Sequence, residues 1–402
     1  MRLIHTSDWH LGQTLHEQDR SHEHAAFLNW LLDLLEAERA DLLLVAGDIY
    51  DGINPPVAAQ RLLYDFIRRA RERMPALTLL LIAGNHDSGA RIEMPAPLLE
   101  GYGAHVLGHV ERDAQGRLEV DRLIVPVADG RALVLALPFL RPAEITGLGH
   151  EDYAEAVASV HAELIAAARQ RRAPEQPLIL VSHAYVDGGA DSESVRRLVA
   201  GGSERVSPAL FPADVDYVAL GHLHLAQAIA GPTCIRYSGS PLPLNFSEVD
   251  YRHQVLCVDL VAGQAPVVRG IEVPRAVPML RIPAAGPAPL PQVLAELSTL
   301  RLPACAPEAQ PWLQVRVLLD APMVDLRERI EALLQGQPVR WIDTQRGFAR
   351  QPGYADAVPA LEAVEPAELF RRAWLRHYGS EPEASVLADF ATLVLEAEEA
   401  AR

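Results

Sequence analysis

The stretch Leu80-Leu81-Ile82-Ala83-Gly84-Asn85-His86-Asp87 decides the fold. An apolar run climbs to a glycine, and an amide, an imidazole and a carboxylate follow it in succession. Three other stretches share the design: Ile4-His5-Thr6-Ser7-Asp8-Trp9-His10, Leu43-Leu44-Val45-Ala46-Gly47-Asp48 and Val218-Ala219-Leu220-Gly221-His222-Leu223-His224. A fifth, Leu178-Ile179-Leu180-Val181-Ser182-His183, lacks the glycine. Buried strands that each end in metal-ligand residue types predict an α/β fold with ligands at its strand ends. In an open parallel sheet the carboxyl ends share one edge, and ligands sit there. We therefore expect the ligand residues to meet at a single sheet rim.

Around these strands the chain alternates. Phe27, Trp30, Leu31, Leu34 and Leu35 recur at helical spacing over Ser21–Glu38. Asn54-Pro55-Pro56 opens a second helix that runs to about Arg73, with proline at its first turn. This β-α-β-α-β order reads as a doubly covered parallel sheet. Residues 105–140 read differently, as short antiparallel strands joined by hairpin turns. A helix over Tyr153–Arg172 follows, then a glycine-rich surface loop over Val186–Ser203 and short strands over 228–273. Two sheets packed face to face, with helices outside, account for the mixture.

Prolines cluster near 274–291 and mark a change of domain. The expected parts are a catalytic domain over 1–275, a small α/β capping domain over 276–345, and a linker with C-terminal helices over 346–402. The last helices, Pro366–Tyr378 and Pro382–Ala400, present Leu369, Phe370, Trp374, Leu387, Phe390 and Leu393 in helical register.

With 402 residues, 49% of them hydrophobic, the chain can bury a sizeable core and is not a disordered polymer. Its formal net charge of −17 argues against binding nucleic acid by bulk charge. Bound cations or a basic partner would have to supply positive charge locally. There is no lysine, so all 36 cationic side chains are arginine. So uniform a replacement fits a codon bias and marks no site. Cys234, Cys257 and Cys305 are far apart and form no C-x-x-C pair, which excludes a thiolate metal site. A strand begins within a few residues of Met1, and no apolar run is long enough to span a bilayer. These features lead us to expect a cytoplasmic protein with no membrane segment.

The candidate metal ligands are Asp8, His10, Asp48, Asn85, His183, His222 and His224, with His86 and Asp87 as candidate catalytic residues. Nitrogen and oxygen donors in this mixture suit a pair of divalent cations of manganese, iron or zinc type; calcium prefers all-oxygen cages. Two cations about 3.5–4 Å apart need a shared ligand. Asp48, alone after a glycine turn, is the natural bridge.

Taken in order, D-x-H, G-D, G-N-H-D, H and G-H-x-H stand here as Asp8/His10, Gly47-Asp48, Gly84-Asn85-His86-Asp87, His183 and Gly221-His222-Leu223-His224. With them the chain resembles the calcineurin-like metallophosphoesterase superfamily. That resemblance implies a two-sheet sandwich flanked by helices. It implies one metal held by Asp8, His10, Asp48 and His224, and another held by Asp48, Asn85, His183 and His222. It also implies that His86 orients the phosphate or protonates the leaving alkoxide. Asp87 would then hold the ring of His86 or of another ligand.

Longer motifs narrow the resemblance. Asp8-Trp9-His10-Leu11-Gly12, Gly47-Asp48-Ile49-Tyr50-Asp51, Gly84-Asn85-His86-Asp87-Ser88 and Tyr237-Ser238-Gly239-Ser240-Pro241 are similar to the SbcD family, the nuclease subunits of bacterial SbcC–SbcD complexes. The family implies an ATP-dependent 3′-to-5′ exonuclease on double strands and an endonuclease at hairpins, serving DNA repair, recombination and replication. It implies two divalent ions, Mn2+ first, with Mg2+, Fe2+ or Zn2+ as alternatives. Its partners are DNA, an SbcC-type ATPase docked by the C-terminal helices, and a second copy within a heterotetramer. A rival reading is a small-molecule phosphodiesterase of the same superfamily, which the residues after 275 disfavour. The intact ligand set speaks against a non-enzymatic scaffold.

Blander readings hold elsewhere. His5, His16, His22, His24, His105, His109, His150, His161, His253 and His377 read as core or loop residues. Trp9 and Tyr50 read as packing. Asp51 and Asn54 stand between groove and loop. The run Arg68, Arg69, Arg71 and Arg73 reads as a solvated helix end.

Overall fold

Runs such as Leu42–Ala46 and Leu178–His183 are buried at every position, so each needs cover on both faces. The computed structural model describes residues 1–145, 153–190, 205–320, 323 and 325–348, with scattered positions from 370 to 390. Two six-stranded sheets supply much of the cover. The first begins with β1 (Arg2–Thr6), β2 (Leu42–Ala46), β3 (Thr78–Ile82) and β4 (Ala104–Leu107). The second takes β5 (Ile124–Val127), β6 (Ala132–Leu137), β7 (Leu178–His183), β8 (Tyr217–Gly221), β9 (Gln227–Ile229) and β10 (Cys234–Tyr237). The chain then returns to the first sheet with β11 (Gln254–Asp259) and β12 (Val267–Glu272). The orders are β12-β11-β1-β2-β3-β4 and β9-β10-β8-β7-β6-β5.

Side chains alternate across the first sheet, as a pleated strand requires. Leu42, Leu44, Ala46, Leu80 and Ile82 share a core with Leu135, Ile179, Val181 and Leu220 of the second sheet. Leu43, Val45, Leu79 and Leu81 share another with Phe27, Leu31 and Leu35 of α1 (Ser21–Glu38) and Leu63, Phe66 and Ile67 of α2 (Val57–Arg73). On the second sheet, Val160 and Leu164 of α3 (Tyr153–Arg171) join the inter-sheet core cluster. This is the metallophosphoesterase sandwich the motifs imply.

One expectation fails. Residues 105–140 are not all antiparallel. β4 runs parallel to β3, with Leu79 opposite Ala104, and extends the first sheet. The β5–β6 hairpin is antiparallel, as is the Arg112–Leu118 bridge around the Asp113–Gly116 turn. The crossover to β4 is made of short helical turns, Gly89–Glu93, Ala96–Leu99 and Glu100–Tyr102. None is long enough to display a helical period. The second helix also starts at Val57, with Pro56 just outside it.

Farther on, β13 (Met279–Ile282), β14 (Ala288–Pro289), β15 (Trp312–Leu319) and β16 (Arg340–Phe348) form a four-stranded sheet. With them go α4 (Leu290–Thr299) and α5 (Leu326–Leu334). β16 runs beyond Thr344, into the stretch read as linker. Met1–Leu318 and Met323–Gly347 form one compact unit; Leu319–Pro322 and Phe348–Arg402 form another. Most of the expected linker and C-terminal helices lies outside the described residues, as does most of the Val186–Ser203 loop. Phe370 and Phe390 are described, and their rings stack 4.2 Å apart. No described helix is long and apolar enough to cross a membrane.

Candidate metal centre

The strand ends meet, but not on one sheet. β1, β2 and β3 bring Asp8, His10, Asp48 and Asn85 from the first sheet, while β7 and β8 bring His183, His222 and His224 from the second. The expected single rim is therefore a rim shared by two sheets. Hydrogen bonds between the loops lock it. His183 Nδ1 donates to the Ala46 carbonyl at 2.8 Å. The His222 backbone N–H donates to Asp8 Oδ1 at 3.0 Å, and that of Asp8 to the Gly47 carbonyl at 2.9 Å.

The crowding explains the glycines. Gly47 has φ +89°, and a Cβ there would run into the His183 ring. A Cβ on Gly84 would meet the Asp48 carboxylate. Four of the candidate ligands also adopt positive φ without being glycine: Asp8 (53°), His10 (46°), Asp48 (49°) and His222 (103°). Such backbone costs of order 1–3 kcal/mol per residue and persists where the surroundings impose it.

Three groups of donor atoms result: Asp8, His10 and His224; Asp8, Asp48 and His183; and His10, Asp51 and His86. His183 Nε2 and His222 Nδ1 stand 2.9 and 3.0 Å from Asn85 Oδ1. Ligand atoms at right angles around a cation about 2.1 Å away stand about 3 Å apart, and both of these contacts have that spacing. Asp8 is common to the first two groups, and Asp48, a member of the second, also faces the first: its Oδ2 lies 3.7 Å from His10 Nε2 and 3.5 Å from His183 Nε2. His10 Nε2 and Asn85 Nδ2 are buried without a hydrogen-bond partner among the described residues. A buried polar atom left bare is costly, and a cation beside His10 Nε2 removes the cost. The donor set thus fits divalent metal ions.

Charge couples the rim: against the pull of burial, Asp48 pushes His183 up to about 9 in the metal-free protein. Burial opposes ionisation of Asp48, but His183, His10 and His86 outweigh it and hold the carboxyl well below its usual range. Burial and the neighbouring His183 push His222 down to about 3, leaving a neutral ring able to ligate.

Asp87 departs from its expected part. Its carboxylate accepts the backbone N–H groups of Gly84 (2.8 Å), Tyr50 (2.9 Å) and Ile49 (3.0 Å), and it holds no imidazole. Burial and the Asp48 charge push it up to about 6, against the pull of those donors. It ties the Gly47-Asp48 loop to the Gly84-Asn85 loop. His86 is held instead by the Asp51 carbonyl, 2.9 Å from its Nδ1. A carbonyl only accepts, so Nδ1 carries the proton.

Two carboxylates escaped the sequence reading as ring holders. Asp51 Oδ1 lies 3.2 Å from His10 Nδ1, and Glu248 Oε1 lies 2.9 Å from His224 Nδ1. Asp51 had a signal in the Gly47–Asp51 motif; Glu248 had none. The packing readings hold. Trp9 and Tyr50 are buried, and the Trp9 ring meets Phe27 and Phe66 edge-on. Arg68 and Arg73 pair with Asp65, Glu72, Asp33 and Glu36, so that basic run is locally neutralised.

Comparison with known proteins gives the family. Residues 1–226 match the calcineurin-like phosphoesterase family. Residues 275–378 match the type 5 capsule protein repressor C-terminal domain, SbcD_C. The chain is 43% identical to the SbcD protein of the SbcCD nuclease from Rhodobacter capsulatus, over 85% of this chain and 86% of that protein. It is 31% identical to the protein of the same name in Escherichia coli K12, over 86% and 85%. For the one in Bacillus subtilis the identity is 34%, over 66% and 67%. A sandwich with this donor set at its rim, relatives matched along most of their length, and a second matching domain place the chain in the calcineurin-like phosphoesterases and, among them, in the SbcD family of SbcCD nucleases.

Proposed function

We propose that this chain is the nuclease subunit of an SbcC–SbcD complex and hydrolyses DNA phosphodiesters with two divalent cations, Mn2+ ahead of Mg2+, Fe2+ or Zn2+. The observation that carries the reading is the approach of His183 Nε2 and His222 Nδ1 to Asn85 Oδ1, at 2.9 and 3.0 Å, beside the Asp48 carboxylate. Asp8, His10, Asp48 and His224 would hold one cation; Asp48, Asn85, His183 and His222 would hold the other. When bound, the cations supply Lewis acidity, acidifying water toward neutral pH and offsetting phosphodiester charge.

The protein's own groups do the rest. Asp48 is kept ionised by His183, His10 and His86. The Asp51 carbonyl fixes the His86 ring through Nδ1, which leaves Nε2 as the atom that exchanges a proton. Protonated there, His86 gives its proton to the leaving alkoxide, and its half-exposed ring recovers one from solvent.

Residues 1–275 form the catalytic part, 276–345 the capping part, and 346–402 the helices that dock SbcC. Ile53, Val57, Met94 and Leu98 are 59%, 64%, 75% and 76% exposed. Their two segments are tied by the Arg91–Asn54 hydrogen bond, and so large an apolar exposure suits a second copy of the chain. Two copies with two ATPase subunits make a heterotetramer acting on double-strand ends and hairpins in the cytoplasm.

The test compares Mn2+-dependent cleavage of a DNA hairpin with that of a small aryl phosphodiester, with and without an SbcC-type ATPase. We expect the hairpin to be favoured and the ATPase to accelerate its cleavage. Preference for the aryl ester, unmoved by the ATPase, overturns the reading and restores the small-molecule phosphodiesterase.

A further inference from the structure

His224 belongs to the rim, yet a continuous set of polar contacts, buried at every member except the half-buried Gln13, joins it to the first residue of β15. Glu248 Oε1 lies 2.9 Å from His224 Nδ1, and Glu248 Oε2 accepts the Leu244 N–H at 2.8 Å. The Leu244 carbonyl accepts Gln13 Nε2 at 2.7 Å. Gln13 Oε1 accepts Arg20 Nη1, which also donates to the Pro243 carbonyl at 2.9 Å. Arg20 pairs with Glu23 through Nε at 2.7 Å and Nη2 at 3.2 Å. Glu23 Oε2 in turn accepts Trp312 Nε1 at 3.2 Å, and the Arg340 guanidinium of β16 lies 3.4 Å over the Trp312 ring.

Burial makes these contacts stiff. Glu248 and Trp312 are 0% exposed, Arg20 1%, Glu23 3% and His224 4%. Removing one partner from such a set leaves a charge or donor unpaired in low dielectric, so each member constrains the next. An imidazole whose Nδ1–H is held by a carboxylate has its tautomer and ring angle fixed, with Nε2 left as the ligand atom.

We propose that Glu248 is the positioning residue of His224, and that the Arg20–Glu23 pair and Trp312 hold Glu248's loop, so that the C-terminal sheet tunes the affinity of the metal position His224 serves. The inference rests on the ligand assignment above and adds control of it from β15. It makes the two metal positions unequal: the one with His224 responds to the C-terminal sheet, and the one with Asn85, His183 and His222 does not.

The experiment titrates the metal-free full-length protein with Mn2+ by calorimetry and follows its melting without metal. The unmutated protein should bind two equivalents; if it does not, the ligand assignment fails before this inference is reached. Glu248→Gln keeps the shape but leaves one of two donors facing an amide NH2. It should weaken one equivalent by about 10- to 100-fold and leave the other within about threefold. Trp312→Phe removes the Nε1 donor together with one ring of the buried indole, and should weaken the same equivalent by roughly three- to tenfold. A merely structural Trp312 would lower the melting temperature and move neither equivalent. Unchanged affinities in Glu248→Gln, or equal weakening of both equivalents, overturn the positioning role. A shift in Glu248→Gln with none in Trp312→Phe overturns the link to β15. Should Glu248→Gln fail to fold, Trp312→Phe alone decides.

Discussion

The carboxylate of Asp48 accepts the His86 backbone N–H at 2.8 Å through Oδ1, while Oδ2 faces the rings of His10 and His183. One side chain therefore fixes the loop that carries His86 and faces a ring of each of two donor groups. Asp48→Ala should lose both metal equivalents, not one. Elemental analysis after dialysis checks this, and retention of two equivalents would show that Asp48 does not bridge.

Asp87 sits one residue from His86 yet touches backbone only. An asparagine there offers one acceptor oxygen in place of two, and its NH2 would face a backbone donor. Asp87→Asn should cost about 1–3 kcal/mol of stability, measured by urea unfolding of the metal-free protein. A loss below about 0.5 kcal/mol would show that these three backbone contacts do not hold the two loops together.

The contrast between these two residues shows what the sequence can disclose. The ligand types follow apolar strands at each motif, so strand and donor are legible together, from Asp8 to His224. Which sheet each strand joins is not, because parallel pairing depends on crossovers, and the one into β4 is made of turns too short to show a period. Asp87 was visible as a carboxylate, but its partners are N–H groups that any residue could supply. Likewise, the holder of His86 is a carbonyl, a group no side-chain motif encodes. Glu248 lies in Phe246-Ser247-Glu248, a plain stretch that only folding brings beneath His224.

Two buried histidines outside the candidate ligand set should make folding sensitive to acid. His161 Nδ1 donates to the Val157 carbonyl at 2.8 Å, and its Nε2 lies 3.1 Å from Ser182 Oγ. His5 lies 2.9 Å from the Tyr217 hydroxyl and 3.2 Å from the Leu220 carbonyl. Burial pushes His161 down to about 4 and His5 to about 3. The unfolded chain takes up these protons from about pH 6.5 downward, the folded one only near pH 3–4. Each ring's stabilising share is therefore intact above pH 6.5 and is lost as pH falls toward those folded values. Between pH 6.5 and 5 the loss approaches ~2 kcal/mol per ring. Urea unfolding of the metal-free protein should show that His161→Gln loses less stability across this interval than the unmutated protein does. Equal losses would mean that His161 is already charged in the fold.

His86 carries the last prediction. Its ring lies 4.8 Å from the His10 ring, yet its Nδ1 is committed to the Asp51 carbonyl. If its part is to hand a proton to the leaving group, metal content and turnover must separate. His86→Gln keeps an amide that can reach Asp51 but has no proton to transfer near neutral pH. It should retain two metal equivalents and lose about 10²-fold or more in turnover on DNA. The loss should shrink on an aryl phosphodiester, whose phenolate leaves without protonation. An unchanged rate on DNA removes His86 from the reaction, and an equal loss on both esters makes it a group that orients the phosphate.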